Sequence, residues 1–391
     1  MKAHQEVIDC PELKTRGSFS GYTAVKYYPS YQHNLNNQAE YLSNFCQKSN
    51  INLPFNKDQL TIKTHKDFSD ISLVVAYNWP KDLTYLNVMM HYQTFGSYFK
   101  NIIFCSKEPF SDEFEKVHDI SMIHIEVDTA IGILQSYCTA KAIELNLKTK
   151  GFFHAGNDLL FKFWNLQKFD SNKIWIYNEP ECYSNKSEVM EFIKKDKPLR
   201  LDPNFSNRNW WNNLIKDGIP FPVWDNLSNE IDQMRNGNIK ISTENRRLVN
   251  RFMQQTLRNF PPKNSDKNLF LTVCEMTGTD AFYVPAKVFR GYHFMSHLFR
   301  KYKVHHEIAN VAILVGLDKK ENILPLGGIY KWATPGCTEC RKKFWNDGLY
   351  SKFETTFHPV KIAEIDYDEG GWNRTQYCDY FIRDIFKRVL N

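Results

Sequence analysis

Gly151-Phe-Phe-His-Ala-Gly-Asn-Asp-Leu-Leu-Phe-Lys-Phe-Trp-Asn165 is the stretch from which the fold of this chain is read. An aromatic-apolar run of strand length enters the turn Gly156-Asn157-Asp158, and a second apolar run follows at once. A strand that stops on a carboxylate sets that carboxylate at the carboxyl edge of a sheet. In open α/β folds ligands bind in the crevice outside that edge. A hard divalent cation bridging two phosphates takes oxygen ligands of this kind and keeps several waters besides. The same residues also describe a plain surface turn after a buried strand, so the neighbouring segments must decide.

Upstream, Ile71-Ser-Leu-Val-Val-Ala-Tyr77 is a near-continuous apolar run, the pattern of a strand covered on both faces. It ends in the turn Asn78-Trp79-Pro80. A helical stretch to about Phe99 precedes a second buried strand, Asn101–Cys105, and a third is expected at Met122–Glu126. Asp128 can cap the next helix, whose apolar positions Ile131, Leu134, Cys138, Ala142 and Leu145 are three or four apart. That helix leads into Gly151. Strands alternating with helices predict an α/β fold with a mostly parallel central sheet flanked by helices.

Downstream, a strand is expected at Lys173–Tyr177. The stretch 178–267 is rich in Asn, Pro and Trp, carries a charged helix near Asn229–Asn259, and reads as a large insertion or lid. Sheet character returns at Asn268–Val273, a helix is expected over about Ala286–Tyr302, and a mixed helical segment begins at Glu307. Residues 1–66 are polar and weakly patterned, an N-terminal extension with one helix near Asn37–Gln47, so that the domain proper runs over 67–391. No internal repeat of solenoid period is evident.

Composition bounds the function classes. The 391 residues include 29 Phe, 20 Tyr and 9 Trp, enough to fill a large core and still line a groove. A net charge of +6 is mild: it suits an anionic ligand such as a nucleotide diphosphate, and with no Lys/Arg block it argues against nucleic acid. No apolar run reaches the roughly 18 residues that span a bilayer, and the start Met1-Lys-Ala-His-Gln-Glu is no signal peptide. Nine cysteines leave the compartment open. Cys337-Thr-Glu-Cys340 is an isolated pair: half a zinc site, a redox pair or a small disulfide loop. N-glycosylation sequons stand at Asn185, Asn204, Asn226 and Asn373.

Three segments join the Gly-Asn-Asp turn as candidates for chemistry. Gly278-Thr-Asp-Ala-Phe-Tyr-Val-Pro285 combines an acidic turn with a short aromatic strand and can bring Asp280 to the same sheet edge. The bland role for Asp280 is a turn carboxylate. Lys303-Val-His-His-Glu-Ile-Ala309 sets Glu307 at the start of a helix, whose positive end it meets. There it can bind an acceptor hydroxyl or take its proton, or it is a helix-starting acid and nothing more. Thr355-Thr-Phe-His-Pro-Val-Lys361 offers His358 as a second metal ligand, or as a structural histidine. Lys361 can neutralise a departing diphosphate.

The order of these motifs, from Tyr77-Asn78-x-Pro80 through the acidic turn and Phe-Tyr-Val-Pro to Glu-Ile-Ala, resembles the GT-A-fold glycosyltransferases. Within them it looks most like the exostosin-like branch and its metazoan relatives, over roughly residues 70–361. The resemblance implies a GT-A-like (Rossmann-like) sheet, a UDP-sugar donor, and manganese or magnesium beside the diphosphate. It implies a glycan, glycoprotein or glycolipid acceptor and a Golgi-lumen setting, with the cytoplasm as the alternative for a chain without a leader or anchor. By position, the segment Ala76, Tyr77 and Asn78 matches the uridine-holding strand end, with Asn157 beside it. Asp158 matches the last acid of the family's Asp-x-Asp triplet and Glu307 the acid near the reacting sugar. His358 matches a C-terminal metal or phosphate ligand, with Lys361 close by. The chain departs from the family at Gly156, where the first Asp of the triplet belongs, so that Asp158 alone remains of its carboxylates.

Two function classes follow from these residues. One is an enzyme moving a sugar from a UDP-sugar to an acceptor hydroxyl, with metal and cationic groups stabilising the leaving diphosphate. The other is a GT-A-like domain that has lost catalysis and serves as a binding or scaffolding module. A nucleotidyltransferase fits less well, because Asn78-Trp-Pro-Lys-Asp-Leu83 lacks the glycines of a phosphate loop.

Overall fold

A computed structural model describes residues 23–27, 35–51, 53, 70–77, 85–96, 98–99, 101–107, 123–127, 134–179, 182–183, 221–261, 273–274, 280–302, 304, 306–330, 355–358, 360 and 374–386. The central sheet is built from β1 (Thr23–Tyr27), β2 (Ile71–Tyr77), β3 (Asn101–Ser106), β4 (Ile123–Val127), β5 (Gly151–Gly156), β7 (Ile174–Ile176), β10 (Ala281–Pro285) and β11 (Ile323–Pro325). Its spatial order is β1-β4-β3-β2-β5-β10-β7-β11. The four central strands β4, β3, β2 and β5 are mutually parallel. β11 is parallel to β7, while β1 and β10 run antiparallel to their neighbours.

The alternation of each strand explains the two layers. Ile71, Leu73, Val75 and Tyr77 of β2 point to one face, Val74 and Ala76 to the other, as the two-residue side-chain period of a strand requires. The first face is covered by α1 (Leu35–Gln47), α2 (Tyr85–Phe95), β6 (Leu160–Phe161) and a C-terminal helical run. That run comprises Arg374–Gln376, a π-helical turn Tyr377–Ile382, and Arg383–Ile385. The second face is covered by α3 (Leu134–Glu144), α4 (Phe221–Asn236), α5 (Thr243–Asn259), α6 (Phe289–Lys301) and α7 (His306–Leu317). Burial on both faces is why β2 and β3 read as continuous apolar runs. The one polar interruption of β2, Ser72, accepts a hydrogen bond from the Asn101 side chain at 2.9 Å.

Where 178–267 is expected as an insertion, its described helices α4 and α5 place Leu227, Ile231, Val249 and Phe252 in the second cluster. The single charged helix expected near Asn229–Asn259 is two helices. Gly237, at φ +82°, ends the first in a left-handed conformation, with Asn238 donating back to the Gln233 carbonyl at 2.9 Å. Ser242 then caps the second by accepting from the Asn245 amide at 3.1 Å. A small parallel-antiparallel sheet, β12 (Gly328–Tyr330), β13 (Thr356–His358) and β6, lies beside the main one. β8 (Cys182–Tyr183) and β9 (Val273–Cys274) form a two-stranded ribbon.

Two disulfides join pairs of residues whose side chains the structure describes. Cys46–Cys378 ties α1 to the C-terminal run across 332 positions, and Cys105–Cys138 ties β3 to α3. Cross-links of this kind persist in oxidising compartments. Among the described residues, no helix is long and apolar enough to cross a membrane.

Candidate functional site

The chain builds β2, β3 and β4 outward in one direction, then returns through α3 to lay β5 on the other side of β2. The reversal makes a topological switch point, and in open α/β sheets ligands sit in the crevice at the carboxyl ends of the two strands that flank it. Those ends are Ala76-Tyr77 and Gly156-Asn157-Asp158. The Asn157 amide donates to the Ala76 carbonyl at 2.9 Å, which joins the two strand ends.

Because β10 runs antiparallel to β5, it begins where β5 finishes, with Ala281 opposite Ala155. Asp280, immediately before β10, therefore abuts Gly156, whose amide donates to the Asp280 carbonyl at 2.8 Å. Gly156 lies between the two acids. A Cβ there would lie 3.3 Å from Asp280 Oδ1 and 3.4 Å from Asp158 Oδ1. Two carboxylates thus face one point at the switch, both on nearly buried residues. His306, the first residue of α7, brings its Nε2 to 4.0 Å from Asp280 Oδ1. Buried carboxylates gathered at one spot favour a cation, and their oxygens are the donors that hard divalent ions take.

Beneath the edge lie two buried histidines. His91 Nδ1 is 3.0 Å from the Tyr77 hydroxyl and 2.8 Å from the Asn87 carbonyl. Burial lowers its pKa to about 4, against the Asn87 carbonyl, the Asn157 backbone and the Asp158 charge, all of which favour the proton. His154, on the other face of the sheet, has Nδ1 2.9 Å from Thr139 Oγ1 and stacks on Phe282 with centroids 4.4 Å apart. Burial, and then the charge of His306, lower its pKa to about 3. Both rings are neutral near pH 7.

The structure brings Asp158, Asn157 and Asp280 together with the end of β2. Ala76 and Tyr77 are there too, but buried: the Tyr77 ring packs against His91 and Phe104. Asn78, the next residue of that strand end, lies outside the described residues. Glu307 is the second residue of α7, next to His306. His358 ends β13, which pairs with β6 directly after the Asp158 turn, and the Val360 amide donates to the Asp158 carbonyl at 2.6 Å. Lys361 and the Cys337/Cys340 pair lie outside the described residues. His91 and His154 stand in no local sequence pattern that marks a site. Only His306 carried a local signal, its place beside Glu307 at a helix start.

No protein-family model matches the sequence, and no curated protein matches it. Among solved structures, the mannosyltransferase Ktr4p from S. cerevisiae, determined in complex with GDP, aligns over 76% of this chain and 80% of its own, with 9% identity and a TM-score of 0.29. An overlap that loose leaves the function to be argued from the site.

Proposed function

We propose that this protein is a glycosyltransferase that binds a UDP-sugar at the β2/β5 switch point and moves the sugar to an acceptor hydroxyl. The observation that carries the reading is the convergence of Asp158 and Asp280 on Gly156. The Asp-x-Asp resemblance lacks its first acid at Gly156, and Asp280, arriving from β10, stands where a side chain at 156 would reach. In this reading the acid pair comes from two separate segments. Its oxygen donors fit manganese or magnesium, which when bound would neutralise the diphosphate that leaves. His358 is the candidate for a further ligand, its strand being anchored to the Asp158 turn. Lys361 is the candidate cation for the departing phosphate.

In this reading Asp158 and Asp280 hold the donor's diphosphate end through the cation, Asn157 and the strand end around Asn78 seat the nucleoside, and Glu307 orients the acceptor or takes its proton. His306 stands 4.0 Å from Asp280, at the rim of the pair. We take 67–391, with β1 and α1 packed onto it, as the transferase unit, and 178–267 as a candidate insertion or lid. The acceptor is a glycan, glycoprotein or glycolipid. The two disulfides favour the Golgi lumen over the cytoplasm.

Calorimetry with UDP, in manganese and in chelator, tests the proposal. Manganese should tighten UDP binding in the wild type; Asp158→Ala and Asp280→Asn should each remove that gain, and Asn157→Ala should weaken it less. Equal affinity for UDP with manganese and with chelator would sink the metal role. Tight, metal-dependent binding with no sugar released or transferred from any UDP-sugar would instead identify a binding module.

A further inference from the structure

We propose that Glu144, His293 and His297 form a zinc-class metal site that clamps α3 to α6, apart from the nucleotide edge. Glu144 is the last residue of α3. His293 and His297 lie one turn apart on α6 and so share a face. Glu144 Oε1 is 2.9 Å from His293 Nε2 and 3.2 Å from His297 Nε2, and the two Nε2 atoms are 3.2 Å from each other. Zinc bonds of about 2.0–2.1 Å in tetrahedral geometry separate neighbouring ligands by about 3.3 Å. Three ligand atoms already stand within a few tenths of an ångström of that triangle. A cation at its centre needs a small opening of the cluster and no new backbone path.

The surroundings fix the orientation of the ligands. Lys141 Nζ binds the other Glu144 oxygen, Oε2, at 2.6 Å, which fixes the carboxylate plane and leaves Oε1 for the histidines. The Tyr137 ring meets His297 edge-on at 5.1 Å and limits its rotation. Glu144 also sits at the negative end of the α3 dipole, which attracts a cation. Lys141, and Arg300 stacked on Tyr137 at 3.8 Å, oppose it. The bond energy of three ligands must exceed that repulsion.

Two histidines and a glutamate are a ligand set zinc accepts while keeping a fourth position for water. Here His293 is buried while Glu144 and His297 are partly exposed, so the fourth position faces solvent. The site is distinct from the switch point by topology. α3 runs from the carboxyl end of β4 to the amino end of β5, so its last residue lies at the opposite edge of the sheet from Asp158. Because its ligands join α3 to α6, the bound ion would clamp two helices of the second layer.

The test uses the tag-free full chain, stripped with chelator and titrated with zinc, with cobalt as the optical probe. We expect one zinc per chain outside the UDP site, a rise in melting temperature on zinc addition, and a tetrahedral cobalt spectrum. His297→Gln and Glu144→Gln should each weaken zinc binding by more than about 100-fold, beyond what loss of an outer-shell partner costs. Asp158→Ala should leave it unchanged, which keeps this result separate from the nucleotide reading. Zinc held equally well by wild type and His297→Gln would overturn the proposal, as would a wild type that gives no tetrahedral cobalt spectrum. The second readout stands even if both variants fail to fold, and its failure would leave a hydrogen-bonded triad only.

Discussion

Gly156→Ala separates the site from the fold more sharply than any acid substitution. The position has no positive φ, so alanine is conformationally allowed, and removing a glycine's freedom in the unfolded chain stabilises by about 0.4–1 kcal/mol. Against this, the new methyl would meet Asp280 Cβ and Oδ1 at 3.3 Å, just inside ordinary contact, and Asp158 Oδ1 at 3.4 Å, at its edge. Two side-chain carboxylates can swing by that much, so the packing cost falls at or below the low end of the 1–3 kcal/mol typical of overfilled cores. The two terms nearly cancel, and folding stability should change by less than about 1 kcal/mol. Function should not survive so well. The methyl occupies the point on which both acids converge, and we expect the manganese-dependent gain in UDP affinity to fall at least about tenfold, or 1.4 kcal/mol. Gly151→Ala is the contrast: its Cβ would meet the Val284 carbonyl at 2.5 Å and the Tyr283 ring, and backbone does not yield. That variant should lose about 2–3 kcal/mol or fail to fold. Urea unfolding and calorimetry on both proteins decide the matter. A folded Gly156→Ala that keeps the full manganese-dependent gain would refute the placement of the cation between Asp158 and Asp280.

Other outcomes follow from the same structure. His91 and His154 have folded pKa values of about 4 and about 3, below the ordinary 6.5, so the unfolded chain binds more protons as pH drops below 6.5. At pH 4.5 each should cost roughly 2–3 kcal/mol of stability, and a urea midpoint constant from pH 7 to 4.5 would contradict the burial of both rings. Replacing Cys46 and Cys378 together by Ala should cost roughly 2–5 kcal/mol, because that bridge closes most of the chain; an unchanged midpoint would show that the two helices need no tether. Glu307→Gln should cut sugar transfer at least about 100-fold while leaving UDP affinity intact, and a loss of UDP binding instead would move Glu307 into the donor site.

The repeating sheet core was legible because its information is local. Ile71–Tyr77, Asn101–Ser106 and Gly151–Gly156 each carry apolar residues on both faces, and helical spacings between them require crossovers that make the strands parallel. Turn chemistry likewise marked Asp158 and Asp280 as residues at strand ends. Where α4 stops was also written locally, in Gly237, although charge alone suggested one long helix. What the sequence by itself could not determine is which strand ends meet. β10 enters the sheet antiparallel beside β5, and only that pairing, between segments far apart in the chain, sets Asp280 against Gly156. The burial of Tyr77 over His91 depends on α2 folding back onto the first face. Glu144 and His293 meet across 149 positions through the packing of α3 on α6. Periodicity and turn residues report how a segment folds on itself. Contacts between distant segments are fixed by burying apolar faces together, and only the tertiary structure decides which acids and imidazoles that burial brings face to face.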